Sequence, residues 1–242
     1  MEYCKVLQPK VVGIRNLLIA RLPVVKNKLW RKTKYSLPNG QVVLPVFFMD
    51  IENNDLKGRI LKFANLWKKN NAAIRFELSN DPTSPIRVTT TPGDGYHSLI
   101  GTDAGFAPTS RPTMNLDSFS MQTSDQEMQR AGTHEFGHAA GFTHEHLAPE
   151  VMECLDEQKT ILYFLQRYGW DEATTRVNVL TPWKPSNTWE FTLDPHGIMG
   201  YSLPKDIFKQ DSKFANGFPG GIEITDLDAA MCKVAYPLKT GR

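Results

Sequence analysis

Apolar positions in the first half of the chain follow two rhythms. Val42 to Phe48 (VVLPVFF) is a β-branched and aromatic run after the turn residues Pro38-Asn39-Gly40, and predicts a strand. Pro45 within it cannot donate to a ladder, which predicts a sheet edge or a bulge. Ala73 to Leu78 (AIRFEL) alternates, Ile86 to Thr91 (IRVTTT) is β-branched, and Tyr96–Gly101 and Met114–Leu116 are shorter strand candidates. Between the first two strands Leu56, Ile60, Phe63, Ala64 and Trp67 lie on one helical stripe. Asp55 is the expected N-cap, and the helix is expected to end near Lys69-Asn70. Asp50, Asn53, Asn54 and Asp55 could also be read as calcium ligands; a helix cap is the simpler account. Ser124-Asp125-Gln126-Glu127 has the form of a capping box and predicts a second helix through Met128, Ala131, His134 and His138 to Gly141, a residue suited to a helix stop.

After Gly141 the periodicity thins. One clear helix, about Asp156 to Tyr168, is expected to bury Ile161, Leu162, Leu165 and Tyr168. Near the end Thr225 or Asp226 is expected to cap a short helix, about Leu227 to Ala235, stopped by Pro237. Strands and helices first, then a mostly irregular half, make an α+β plan.

Composition adds limits. The 242 residues suffice for one large domain or two small ones, and 40% hydrophobic with 22% charged residues is ordinary for a globular chain. Mean hydropathy is −0.37, and no apolar run approaches the roughly 18 residues of a membrane span. Net charge is +2, but residues 1–34 hold nine Lys/Arg against one acid, Glu2. This basic arm has no interleaved aromatics, so nucleic acid is not an expected partner. No secretory signal is seen; the chain is expected to be secreted if it lacks its signal peptide as given, and otherwise intracellular. Cys4, Cys154 and Cys232 allow one disulfide but no disulfide framework.

Chemistry concentrates in HEFGHAAGFTH, residues 134–144, which holds three of the chain's six histidines. On a helix His134 and His138 project about 40° apart, side by side, so both can reach one ion. Gly141 can end the helix and let the chain return His144 as a third ligand. Three neutral imidazoles leave zinc an open position, the mark of a catalytic site. Glu135, about 100° round from His134, can act as general base without ligating. His97, His146 and His196 are expected to be surface, rim or neighbouring residues rather than ligands. A structural zinc in an interaction protein or toxin is the rival reading, and a peptidase with one narrow protein substrate is another. Glu135 argues against the first, since a structural site needs no base.

His-Glu-x-x-His-x-x-Gly-x-x-His resembles the zinc motif of the metzincin metallopeptidases. Asp194-Pro195-His196-Gly197-Ile198-Met199-Gly200-Tyr201 looks like the astacin-type turn, usually Ser-Ile-Met-His-Tyr, and Gly141-Phe142-Thr143-His144-Glu145 is similar to the astacin Gly-Phe-x-His-Glu. The resemblance covers roughly residues 36 to 237. It implies a metzincin, zincin-like fold: an N-terminal twisted mixed sheet with two long helices, an irregular C-terminal subdomain with a terminal helix, and an active-site cleft between. The implied catalytic domain is 36–242, divided into about 36–141 and 142–242, after a basic extension, 1–35, that is a pro-segment or arm. It implies one catalytic Zn2+ on His134, His138 and His144, Glu135 as base and acid, Tyr201 as a fifth ligand and oxyanion partner, and Met199 as the structural turn methionine. A monomer acting on extended protein or peptide substrate, paired along Tyr96–Gly101, is expected. The pattern departs from animal astacins in having His146-Leu147-Ala148-Pro149-Glu150 after the motif, too few cysteines for two disulfides, and Gly197 and Gly200 in the turn. These departures suggest a divergent, microbial-type member. In astacins the glutamate at the place of Glu145 tethers the mature N-terminus, a role the retained arm puts in doubt here.

Overall fold

The computed structural model describes residues 24–182 and 193–239, with the backbone of residues 5–6. Its strands are β1 (Lys5–Val6), β2 (Val42–Phe48), β3 (Ile74–Leu78), β4 (Ile86–Thr89), β5 (His97–Ser98) and β6 (Met114–Asn115). They form one mixed sheet in the order β1-β5-β6-β4-β2-β3. Only the β5–β6 pair is antiparallel. The Tyr96–Gly101 candidate shrinks to two residues, because a 3-10 turn, Gly101–Phe106, takes over.

Pro45 is neither at an edge nor in a bulge, since β2 lies between β3 and β4. Val42 donates toward Ala73 at the β3 side and Val43 toward Tyr35 on the other. Pro45 has the parity of Val43, and the β4 ladder begins only at Val46. The proline therefore sits where no donor is required.

Helix α1 (Asn54–Ala64) buries Leu56, Ile60, Phe63 and Ala64, and a 3-10 stretch, Asn65–Asn71, continues it and buries Trp67. Its cap is Asn53 rather than Asp55: the Asn53 side chain accepts from the Asp55 and Leu56 N–H groups. The second long helix is composite: α2 (Asp125–Glu127), a π-helical turn at Met128–Gly132, then α3 (Thr133–Ala139). Ser124 caps it through the Glu127 N–H, while the Glu127 carboxylate turns to Arg130 and Tyr96 instead of closing a capping box.

The second half contains more helix than its pattern suggested: α4 (Pro149–Met152), α5 (Glu157–Tyr168), α6 (Glu172–Thr175) and a π-helical Arg176–Leu180. Asp156 caps α5 and Gly169 ends it in the left-handed conformation. The buried face of α5 is Thr160 and Phe164; Leu162 and Leu165 are half exposed. Phe164 wins the interior because its ring stacks on Trp170, 5.1 Å between centroids. The terminal helix α7 (Asp226–Ala235) starts from Thr225 with a full capping box closed by Asp228.

Residues 24–35 pack onto the body. Val24 bridges Phe142, and Val24 and Trp30 are buried. Cys154 and Cys232 are free thiols, and Cys4 lies outside the described residues. Among the described residues no helix is long and apolar enough to cross a membrane.

Candidate metal centre

Helix α3 is held from three sides. The Trp67 indole donates to Thr133 O at 2.8 Å, the Trp30 indole to Ala139 O at 2.7 Å, and the Tyr236 hydroxyl to Ala140 O. The last two satisfy carbonyls that a helix C-terminus otherwise leaves without partners. Gly141 then takes φ +99°, in the left-handed region, and the chain doubles back. His134 and His138 point from α3, and His144 returns to meet them.

The three Nε2 atoms converge. His144 Nε2 lies 3.1 Å from His138 Nε2 and 3.2 Å from His134 Nε2. His134 Nδ1 lies 2.7 Å from Ile198 O and His138 Nδ1 2.8 Å from Phe142 O. A carbonyl only accepts, so both Nδ1 atoms carry the proton and both Nε2 atoms present lone pairs. Burial, and next the neighbouring His138, hold His134 and His144 well below the usual imidazole range. Burial lowers His138 to about 4. The rings are thus neutral, the form that ligates metal. Tetrahedral ligands at 2.0–2.1 Å from an ion stand about 3.4 Å apart, close to the separations seen. The donor set fits one zinc.

Below the ligands runs the turn at Asp194–Tyr201. Gly200 donates to Gly197 O at 2.9 Å, and Glu145 N donates to Met199 O at 3.0 Å. Met199, fully buried, lies under α3 against Gly137. A β-carbon on Gly137 would stand 2.4 Å from Met199 Sδ and 2.7 Å from the Trp67 ring. Gly137 is therefore what lets the methionine approach. The turn is fixed by buried carboxylates: Glu145 accepts from Asp194 N, and Asp228 from Ile198 N and Thr225 N. Burial raises Asp228 to about 6 and pushes Glu145 well above the usual carboxylate range. A β-carbon on Gly197 would fall 2.1 Å from Glu145 Oε2, which accounts for glycine there.

Glu135, 1% exposed, follows the first ligand on α3. Tyr201, 5% exposed, has its ring centroid 4.3 Å from that of His144. His146 is buried beside them, whereas His196 is exposed. His97 is buried on β5 and paired with Asp94 at 3.0 Å. Beside the helix start lies a recess of about 640 Å³, with Tyr96, Asp117, Glu127, Arg130 and Ile222 among its walls. Burial alone would raise Glu127 and lower Arg130; their mutual hydrogen bonds win, so both stay charged. Two contributors carry no mark in the sequence pattern: Gly137, hidden inside the motif, and Asp228, hidden inside a helix start.

No family model matches the chain, and no curated protein matches it. Solved structures do. The chain is similar to myroilysin at 28% identity over 90% of this chain and 99% of that one, with a TM-score of 0.77. A second myroilysin crystal structure gives 26% identity, coverage of 93% and 100%, and a TM-score of 0.60. High choriolytic enzyme 1, a hatching enzyme zinc-protease from Oryzias latipes (medaka fish), shares the fold at 14% identity, coverage of 92% and 100%, and a TM-score of 0.58. The fold and the assembled histidine triad are thus similar to those of astacin-like metzincin metallopeptidases.

Proposed function

We propose that the chain is a zinc-dependent endopeptidase in which Glu135 is general base and acid and Tyr201 stabilises the developing oxyanion. The observation that carries this is three neutral, buried imidazoles converging on one point, with Glu135 on the helix turn that supplies the first of them. His134, His138 and His144 would hold the ion; when bound, zinc supplies Lewis acidity for a carbonyl and lowers the pKa of water toward about 7. The Glu135 carboxylate accepts the proton of the attacking water and delivers it to the leaving amine nitrogen. The Tyr201 hydroxyl donates to the carbonyl oxygen as that oxygen gains charge. Met199 has a packing role: a soft, adaptable floor beneath the ligands.

The substrate in this reading is a protein or peptide in extended form, bound by a monomer and paired along β5. The catalytic unit in this reading includes residues from Val24 on, ahead of the expected boundary at 36, since Val24 and Trp30 belong to the core. It divides near Gly141 into an upper part with the sheet and a lower part with the turn. The remaining extension is read as a pro-segment, supported by Lys5 and Val6, whose backbone pairs with His97 and Ser98 on the sheet edge an extended substrate would use.

The test is Glu135→Gln. Fold and zinc content should persist, while cleavage of casein or of a proteome-derived peptide library falls by about 10²–10⁴-fold. Normal turnover in that variant would sink the mechanism. Wild type with full zinc and no cleavage anywhere in the library would favour a structural metal; cleavage at one narrow motif would define a specialist.

A further inference from the structure

His146 is two residues past a ligand, yet its nitrogens are aimed elsewhere. Nε2 lies 3.1 Å from Asn178 O, in the π-helical Arg176–Leu180. A carbonyl only accepts, so Nε2 carries the proton and Nδ1 is left as an acceptor. Nδ1 accepts the Tyr201 N–H at 3.2 Å. The partners alone fix the tautomer. The ring lies nearly flat on the Tyr201 ring, 4.1 Å between centroids at 22°, and nearly parallel to His144, 4.9 Å at 29°. It is fully buried.

Holding the ion requires none of this, because His134, His138 and His144 complete the converging set. What His146 touches is both halves of Tyr201: the backbone through a hydrogen bond and the phenol ring through its face. Its other nitrogen is anchored to a segment that contributes no ligand. We propose that His146 is a positioning residue that sets the place of the Tyr201 phenol beside the metal centre. The idea rests on the peptidase reading above. A Tyr201 that swings freely loses alignment with the oxyanion, so the cost falls on turnover rather than on substrate binding.

The two kinds of contact can be separated. His146→Phe keeps a flat ring and removes both hydrogen bonds. His146→Gln keeps a donor for Asn178 O and an acceptor for Tyr201 N–H, and removes the ring. Each is made in the zinc-loaded full chain, with Tyr201 intact and as Tyr201→Phe. His146→Phe should lower kcat about 10–100-fold with KM within about twofold, the size of losing one oxyanion donor in part. His146→Gln should recover much of that loss. In the Tyr201→Phe background the effect of His146→Phe should shrink below about threefold, because residues acting through one another are not additive. Amide hydrogen exchange at Tyr201 gives a readout independent of activity: slow in wild type and in His146→Gln, at least about tenfold faster in His146→Phe.

Equal kcat losses in both backgrounds would overturn the proposal, as would unchanged exchange at Tyr201 in His146→Phe. If His146→Phe fails to fold, His146→Gln decides: a loss of about 3–10-fold with Tyr201 and under about twofold without it supports the ring contact, and equal losses overturn it. If the wild type carries zinc but cleaves nothing, the peptidase reading fails, and the exchange measurement still decides whether His146 holds Tyr201.

Discussion

Two stretches meet at the metal ligands and are braced in opposite chemical ways. Helix α3 is held by donors: Trp67, Trp30 and Tyr236 give hydrogen bonds to its carbonyls. The turn at Asp194–Tyr201 is held by acceptors: Glu145 and Asp228 take its backbone N–H groups. The helix would keep its own backbone bonds without the aromatics. The turn has few such bonds of its own, so its shape depends on side chains from residues far away in the chain. The site should therefore fail more readily from the turn than from the helix.

The largest effect on stability should come from Asp228→Ala. It strands the Ile198 and Thr225 N–H groups, each costing about 1–3 kcal/mol when buried without a partner, partly offset by removing a poorly solvated carboxylate. A net loss of about 2–3 kcal/mol corresponds to a Tm drop of about 5–10 °C in a domain of this size. Zinc affinity should fall with it, because Ile198 O orients His134. Asp228→Asn, which keeps an acceptor oxygen, should lose far less. Next comes Gly137→Ala. Alanine gains about 1 kcal/mol of helix propensity, while overpacking against two fully buried side chains costs about 1–3 kcal/mol or more. Destabilisation with displaced Met199 is expected; a stabilised variant would show that the turn methionine yields, and would weaken the contrast.

This asymmetry also explains what was legible. The motif helix announces itself because 3.6-residue periodicity and a glycine stop are local, so His134, His138, His144 and the Gly141 reversal could be placed from the sequence alone. The turn was legible only through likeness to a known pattern at Met199 and Tyr201. Its supports come from residues 145 and 228, and nothing in the local pattern at either position reveals a partner tens of residues away. The buried face of α5 was misplaced for the same reason. Leu162 and Leu165 look like core by composition, but Trp170 beyond the helix end selects Phe164. Pro45 suggested an edge because its tolerance depends on where the neighbouring strand begins.

The two regions also titrate in opposite directions. In the metal-free protein burial holds His146 to about 3 and His138 to about 4. The unfolded chain takes up these protons near pH 6.5 and the folded chain does not, so their contribution to stability is complete above 6.5 and is lost as pH falls toward 4. Asp228 works the other way. Its folded pKa of about 6 exceeds the unfolded 3.8, so its burial costs nothing below 3.8 and progressively more as pH rises to 6. The buried ligand-side histidines outnumber the buried turn carboxylates, so the Tm of apoprotein should rise from pH 4 to 6.5. Asp228→Asn should steepen the rise between pH 4 and 6. A flat wild-type profile that the Asp228→Asn substitution leaves unchanged would mean the two regions are not buried as described.

The smallest effect should come from Trp30→Phe. The ring can still meet Tyr35 edge-on, but the indole bond to Ala139 O is lost. One buried hydrogen bond is worth about 1 kcal/mol net, somewhat more when the acceptor is left dry. That predicts a Tm shift of about 2–5 °C with zinc affinity almost unchanged, because Tyr236 still holds the adjacent Ala140 carbonyl. Tyr236→Phe alone should behave similarly. Removing both leaves neighbouring carbonyls at the end of α3 without donors at once, next to the Gly141 reversal that delivers His144. The Trp30 backbone N–H also donates to the Tyr236 hydroxyl, at 3.4 Å, so the two residues are coupled. The double variant should therefore lose more stability than the two singles together, and zinc affinity should fall for the first time in the series. If the losses simply add and zinc binding holds, the aromatics brace the helix independently of the ligand reversal, and the dependence on distant side chains is a property of the turn alone.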